Sequence, residues 1–191
     1  MDAIALLKAD HKAVAEKFVM FEELGDRALK AKGKIVKDVV AALSMHAAIE
    51  EAILYPAARA RLGGSDDLVL EALEEHHIVK WTLSELDQMV PTEERFNAKF
   101  TVLMESVRHH VREEEKTLFP AVRKAFTKME LDQMGEKLAR TKASAPTRPH
   151  PRSPDEPPFN VITSAIARPL DAIRDAGESV LKQVRKAAQP G

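Results

Sequence analysis

Residues 46–56 read HAAIEEAILYP and residues 110–120 read HVREEEKTLFP. Each stretch opens on a histidine, places glutamates four and five positions on, an aromatic residue nine on and a proline ten on. A lone His-x-x-x-Glu carries little weight in a chain this rich in glutamate, but two copies sharing the aromatic-proline ending are far more specific. On a helix, residues i and i+4 lie one turn apart on the same face. His46 with Glu50, and His110 with Glu114, are therefore two chelating pairs. Both fall on apolar stripes, Val39, Leu43, His46, Glu50, Ile53 in one case and Leu103, Val107, His110, Glu114, Leu118 in the other. Four polar groups thus point into a helical core.

Helical periodicity extends outward from these stretches over the first 140 residues, with no sustained two-residue alternation, so the class is all-α. Asp2 caps a first helix with Ile4, Leu7, Val14, Phe18 and Phe21 inward. Gly25 and Gly33 bound the next turn. A second helix runs from about Lys34 to Gly63-Gly64, with Pro56 as a kink. Ser65, Asp66 and Asp67 cap a third, which turns Leu70, Leu73, Leu83 and Leu86 inward and ends at Pro91. Thr92 opens a fourth, interrupted by Pro120. Four amphipathic helices joined by short turns make an up-down-up-down four-helix bundle over residues 1–142.

The first and third helices each offer an inward histidine: His11 in register with Leu7, Val14 and Phe18, and His76 with Leu73, Lys80 and Leu83. Burying two unpartnered carboxylates costs several kcal/mol apiece, by the order of magnitude for isolated buried ions, so such groups are paired or bind metal. The chain has no cysteine, which excludes disulfides, thiolate-held clusters and thiol catalysis and leaves imidazole and oxygen as metal ligands. A formal net charge of -1 and no basic patch interleaved with aromatics argue against nucleic acid. No apolar run approaches bilayer-spanning length and the N-terminus lacks a secretory pattern, so a cytoplasmic address is expected.

Composition changes at residues 143–160, a proline-rich polar stretch read as an extended linker. Residues 161–191 form a C-terminal amphipathic helix in this reading. It docks on its own bundle or meets a membrane or protein partner.

Taken together, ADH at 9–11, FEELGDRA at 21–28, HAAIEEAILYP at 46–56, EEHHIVK at 74–80 and HHVREEEKTLFP at 109–120 resemble the hemerythrin-like family, the HHE cation-binding domains, over roughly residues 2–140. The resemblance implies a bundle enclosing two non-haem irons bridged by oxo or hydroxo and by carboxylates. Its ligands, carried over by position, are His11, His46, Glu50, His76, His110 and Glu114. Zinc and manganese also suit imidazole and carboxylate, and the dinuclear arrangement favours iron. Oxygen-carrying members place a second third-helix histidine where this chain has Lys80, and an Asp five residues after the fourth-helix histidine where this chain has a Glu at four. The expectation is a di-iron protein that binds, senses or scavenges O2, NO or peroxide. The alternative is a peroxide-decomposing or iron-oxidising enzyme, and an iron donor for cluster repair ranks below both.

Neighbouring residues read more plainly. His77 and His109 are turned about 100° from the ligand positions, and His77 stands as the alternative to His76. Glu51, Glu113 and Glu115 read as solvated charges or as supports for ligand histidines. Asp10 either faces water or orients His11. Tyr55 and Phe119 read as core filling, with the Tyr55 hydroxyl beside a redox metal as its second reading, and Lys80 either reaches solvent or enters the pocket. His150 belongs to the linker.

Overall fold

A computed structural model describes residues 1–63, 66–153 and 171. Among these residues there is no strand. Helix α1 spans Ala3–Glu22, α2 Leu29–Ile49, α3 Tyr55–Arg61, α4 Asp66–Gln88, α5 Phe96–Glu113, α6 Phe119–Ala125 and α7 Lys128–Ala143. Single π-helical turns, Glu50–Leu54 and Glu114–Leu118, join α2 to α3 and α5 to α6, so each pair forms one continuous rod. The four rods form a ring in which α1 meets α2, α2 meets α4, α4 meets α5, and α5 closes on α1. The rod over Leu29–Arg61 has a window of mean hydropathy 1.2, apolar enough to span a membrane by composition, but 67% of that window is buried within the bundle. Its apolarity serves the core.

The two prolines act through the π turns. A proline has no N–H to give to the carbonyl four residues back, and its ring crowds that carbonyl. Here one extra residue is accommodated just before each proline. The N–H of Tyr55 reaches back to the carbonyl of Glu50, and the N–H of Phe119 to that of Glu114, both i to i−5 bonds. The expected kinks are therefore π bulges, and each begins at a glutamate of the repeated motif.

Several boundaries differ from the sequence reading. Helix α2 begins at Leu29, so Gly33 lies inside it. A Cβ at Gly33 would stand 2.6 Å from the Pro91 ring, and the missing side chain lets the α4–α5 turn settle on α2. Thr92 does not open the fourth helix, because residues 89–95 form turns and α5 starts at Phe96.

A fifth long helix, α7, was not foreseen as a separate element. Thr127 and Glu130 form a reciprocal capping box at its start, the Thr-x-x-Glu signature of a helix N-terminus. It lies against α1 and α2, parallel to α1, with Gly135 at Met1–Ala3 and Lys142 paired to Asp10. The described part of the proline-rich stretch is likewise not free. Ala145 and Pro146 are buried, and Arg148 makes a buried ion pair with Asp87 at 2.6 Å. His150 and the backbone N–H of Arg148 both reach Asp171. The expected C-terminal helix otherwise lies outside the described residues.

The core has two parts. One cluster gathers Ile4, Leu7, Ile49, Leu54, Leu73 and Phe119. The other gathers Val14, Phe18, Leu43, Val79, Phe100 and Val107. In every rod the inward histidine falls between a residue of one cluster and a residue of the other, so a polar layer separates two apolar plugs.

At Gly135 a Cβ would come within 2.3 Å of the Met1 carbonyl and 2.9 Å of the Ala3 nitrogen, whereas one at Gly25 would meet nothing within 4 Å. Gly135→Ala should therefore destabilise the chain by about 1–3 kcal/mol, the usual cost of overpacking. Gly25→Ala should leave it within about 0.5 kcal/mol of wild type, as surface changes do. Denaturant melts of the two variants check this.

Candidate metal centre

The polar layer brings together all six residues singled out in the sequence. His11, His46, Glu50 and Glu114 have one ligand atom each within 4.8 Å of one another, and so do Glu50, His76 and His110. Glu50 belongs to both groups. All six are buried, with Glu50 fully enclosed. The Nε2 atoms of His11 and His46 lie 3.1 Å apart, and those of His76 and His110 3.0 Å. Glu50 Oε2 stands 3.0 Å from His46 Nε2 and 3.6 Å from His76 Nε2. Glu114 Oε2 stands 3.3 Å from His11 Nε2 and 3.5 Å from His110 Nε2. Each carboxylate thus spans the two histidine pairs.

Three of the imidazoles are hydrogen-bonded from behind to a carboxylate, and the fourth faces one. His11 Nδ1 donates to Glu115 Oε1 at 3.0 Å, His76 Nδ1 to Glu51 Oε1 at 3.0 Å, and His110 Nδ1 to Glu75 Oε2 at 2.7 Å. His46 Nδ1 faces Asp10 Oδ2 at 3.5 Å, with Lys142 on the other Asp10 oxygen. A proton fixed on Nδ1 leaves Nε2 free to turn its lone pair inward, the arrangement that orients histidines at metals.

This outer ring is where the sequence reading needed most correction. Glu51 and Glu115 support ligand-position histidines, as the second of their two readings had it, while Glu113 is exposed. Asp10 serves His46 rather than His11. Glu75 was missed altogether. It lies one residue before His76, and only the distance from α4 to α5 reveals its partner. Lys80 turns inward to Glu51 at 2.9 Å. His77 is exposed and accepts from the Trp81 indole, which leaves His76 as the inward residue of the pair. Tyr55 is more than core filling, since its hydroxyl donates to Glu114 Oε1 at 2.9 Å and lies 3.1 Å from His76 Nε2. Phe119 stacks flat on His11, with ring centroids 5.6 Å apart.

The electrostatics match a site that wants positive charge. Burial opposes a charge on His46, but Glu50, Asp10 and Glu114 outweigh it and raise the imidazole pKa to about 10. Burial likewise opposes ionisation of Glu114, yet the facing imidazoles of His11, His110 and His46 bring its pKa down to about 2. Against burial, Glu75 and Glu114 raise His110. Burial, reinforced by Glu114 and Glu50, pushes the Tyr55 phenol well above its ordinary value. Even so, neither oxygen of Glu50 nor Oε2 of Glu114 has a hydrogen-bond donor. Orphaned buried carboxylate oxygens aimed at converging imidazole nitrogens fit a metal ion.

The chain belongs to the hemerythrin family, matching the Hemerythrin HHE cation binding domain over residues 2–122. It is 33% identical over 137 residues to an uncharacterized hemerythrin-like protein of Schizosaccharomyces pombe, covering 71% of this chain and 68% of that one. It is also 28% identical over 145 residues to a protein of Nostoc sp. named DNA nickase, covering 75% of this chain but 40% of the nickase. In fold it is similar to the crystal structure of a Hemerythrin HHE cation binding domain-containing protein, the Rv2633c homolog from Mycobacterium kansasii. That likeness has a TM-score of 0.64 at 24% identity and covers 75% of this chain and 86% of the other. Family and buried His/Glu cluster together make this a metal-binding protein.

The raised His46 value has a consequence for the metal-free chain. With a folded-state pKa of about 10 against 6.5 unfolded, its protonation contributes stability that is fully present below pH 6.5 and is lost as pH rises through 10. Imidazole NMR should show His46 still protonated at pH 8. Glu50→Gln should bring its titration down, and a His46 titration near 6.5 in both proteins would refute the assignment of Glu50 as its main partner.

Proposed function

We propose that the chain is a non-haem di-iron protein that takes up a small oxidant, O2, NO or peroxide. The observation that carries this reading is the sharing of Glu50 between two ligand groups while both its oxygens lack a donor. One ion would be held by His11 and His46 and the other by His76 and His110, with Glu50 and Glu114 spanning the two. Iron in such a site supplies redox chemistry and open coordination positions, because six side chains do not complete two octahedra.

The remaining residues prepare the ground for a ligand. Above the histidine layer lies a cavity of about 20 Å³ walled mainly by Val14, Leu43, Val79, Val107 and Val111. It has room for one small neutral guest, a water, a diatomic molecule or a single xenon atom. Apolar walls keep bulk water from the centre, and the carboxylates behind the histidines hold each ring in place.

The enzyme reading is favoured by Tyr55. Its hydroxyl is a buried proton donor on a bridging-position carboxylate, and its raised pKa keeps that proton in place until a developing negative charge draws it. The name of the Nostoc relative does not carry nucleic acid to this chain, because the likeness spans less than half of that protein.

Elemental analysis of the purified chain should give about two irons, with charge-transfer bands in the near ultraviolet, as this ligand chemistry predicts. Glu50→Ala should lose most of the metal, and His77→Ala should lose none. Zinc as the sole metal, or full iron content in Glu50→Ala, would overturn the reading. Sustained oxygen release from peroxide, lost in Tyr55→Phe at unchanged iron content, would decide for the enzyme over the binding module.

A further inference from the structure

The ring of rods is sparsest where α5 closes on α1, and a surface cleft of about 400 Å³ opens there. Its floor includes His11, and its walls include Phe18, Arg108, Arg112 and Lys116. Four residues line both this outer cleft and the inner cavity above the histidine layer: His11, Val14, Val107 and Val111. A single layer of side chains, three valines and His11, therefore separates the cleft from the chamber. A larger cleft, where the start of α2 meets the α4–α5 turn, shares no lining residue with the cavity.

The septum is unevenly anchored. Val14 and Val107 are buried in the upper cluster, 4% and 5% exposed. Val111 is only partly buried and packs at that cluster's edge. Behind it stands a fixed frame. Arg108 is held by two hydrogen bonds to Glu22, at 2.8 and 2.9 Å, and lies over the Phe18 ring. That clasp ties α5 to α1 one turn beyond the septum. On the other side Lys8 of α1 pairs at 3.0 Å with Glu115 in the π turn that continues α5. Between two clasps the helices stay at a set distance, and passage depends on side-chain rotation. A valine has one χ angle with few rotamers, and exposed rotamers exchange in picoseconds to nanoseconds.

We propose that the α1–α5 cleft is the entry route to the metal centre and that Val111, backed by Val14 and Val107, is its gate. The gate admits neutral molecules of two or three heavy atoms and holds back ions. An ion would shed its hydration among three valines, and the one polar group of the septum, His11, already has its Nδ1 engaged by Glu115. The basic residues at the mouth, Arg112 and Lys116, can gather anions, but the septum behind them does not let anions through. Selectivity for O2, NO or hydrogen peroxide over anionic oxidants of similar size then resides in three apolar side chains rather than in the ligands themselves. This route rests on the reading of the six residues as a metal centre only for its destination, because cleft, septum and cavity are defined without the metal.

Two measurements on the full-length chain separate the route from the metal reading. Xenon-129 magnetisation exchange between solvent and cavity, with paramagnetic ions removed, reports passage alone. Exchange should slow at least tenfold in Val111→Trp and quicken in Val111→Ala. Equal exchange rates in all three proteins, or no xenon entry at all, would overturn the gate. On the iron-loaded chain, stopped-flow NO binding should show association and dissociation slowed by the same factor in Val111→Trp, with affinity and iron content unchanged. A change in affinity alone would mean that Val111 shapes the bound state instead, which also overturns the gate. Failure of the wild-type chain to bind NO, with the xenon result intact, would count against the proposed function and leave the route standing.

Discussion

The structure is organised around a cost, the burial of four imidazoles and two carboxylates in one layer. Each would be unfavourable alone, and the molecule offsets it by concentric pairing. Inner carboxylates face inner nitrogens, and an outer ring of Asp10, Glu51, Glu75 and Glu115 faces the opposite nitrogens. Lys142, Lys80 and Lys8 then meet three of those outer carboxylates. The remaining deficit, chiefly the donorless oxygens of Glu50, sits at the centre. A cation completes the alternation of charge from the axis outward.

Fold and site support each other through the two apolar clusters. The lower plug carries the π turns and the tyrosine beneath the histidine layer, and the upper plug carries the valines above it. Residues at the ends of each plug fix the height of the histidines. Helix α7 extends this support on the outside, because the same Lys142 that ends its run along α1 reaches Asp10 behind His46. Packing at Gly135 and electrostatics at the centre are thus two ends of one helix.

His11 and His76 are legible only as polar interruptions of apolar stripes, whereas two signals coincide in His46, Glu50, His110 and Glu114. They recur at helical spacing, and they interrupt apolar stripes with groups that do not belong in a core. The repeated aromatic-proline ending supplied the specificity. The outer ring was less legible, since Glu75 and His110 sit on different helices and their pairing is a matter of interhelical distance. Glu51 carries two sequence readings, solvated or supporting, for a local reason. An ideal 3.6-residue turn would rotate it away from Glu50, but the π turn that Pro56 induces is wider, and both neighbours face inward. The start of α7 carried a readable capping box in Thr127 and Glu130. Pro120 masks it, because the sequence reads as a single fourth helix interrupted at that proline.

The repeated motif places the same π turn on two rods, α2–α3 and α5–α6, but the surroundings of the two copies differ. Behind His76, the Glu51–Lys80 pair is sealed, with side chains 6% and 9% exposed. Behind His11, the corresponding Glu115–Lys8 pair is open to water, at 33% and 46%. Water screens the second pair and leaves the first nearly unscreened. The two poles of the centre are therefore dielectrically unlike: twins by sequence, they have become a dry pole and a wet one.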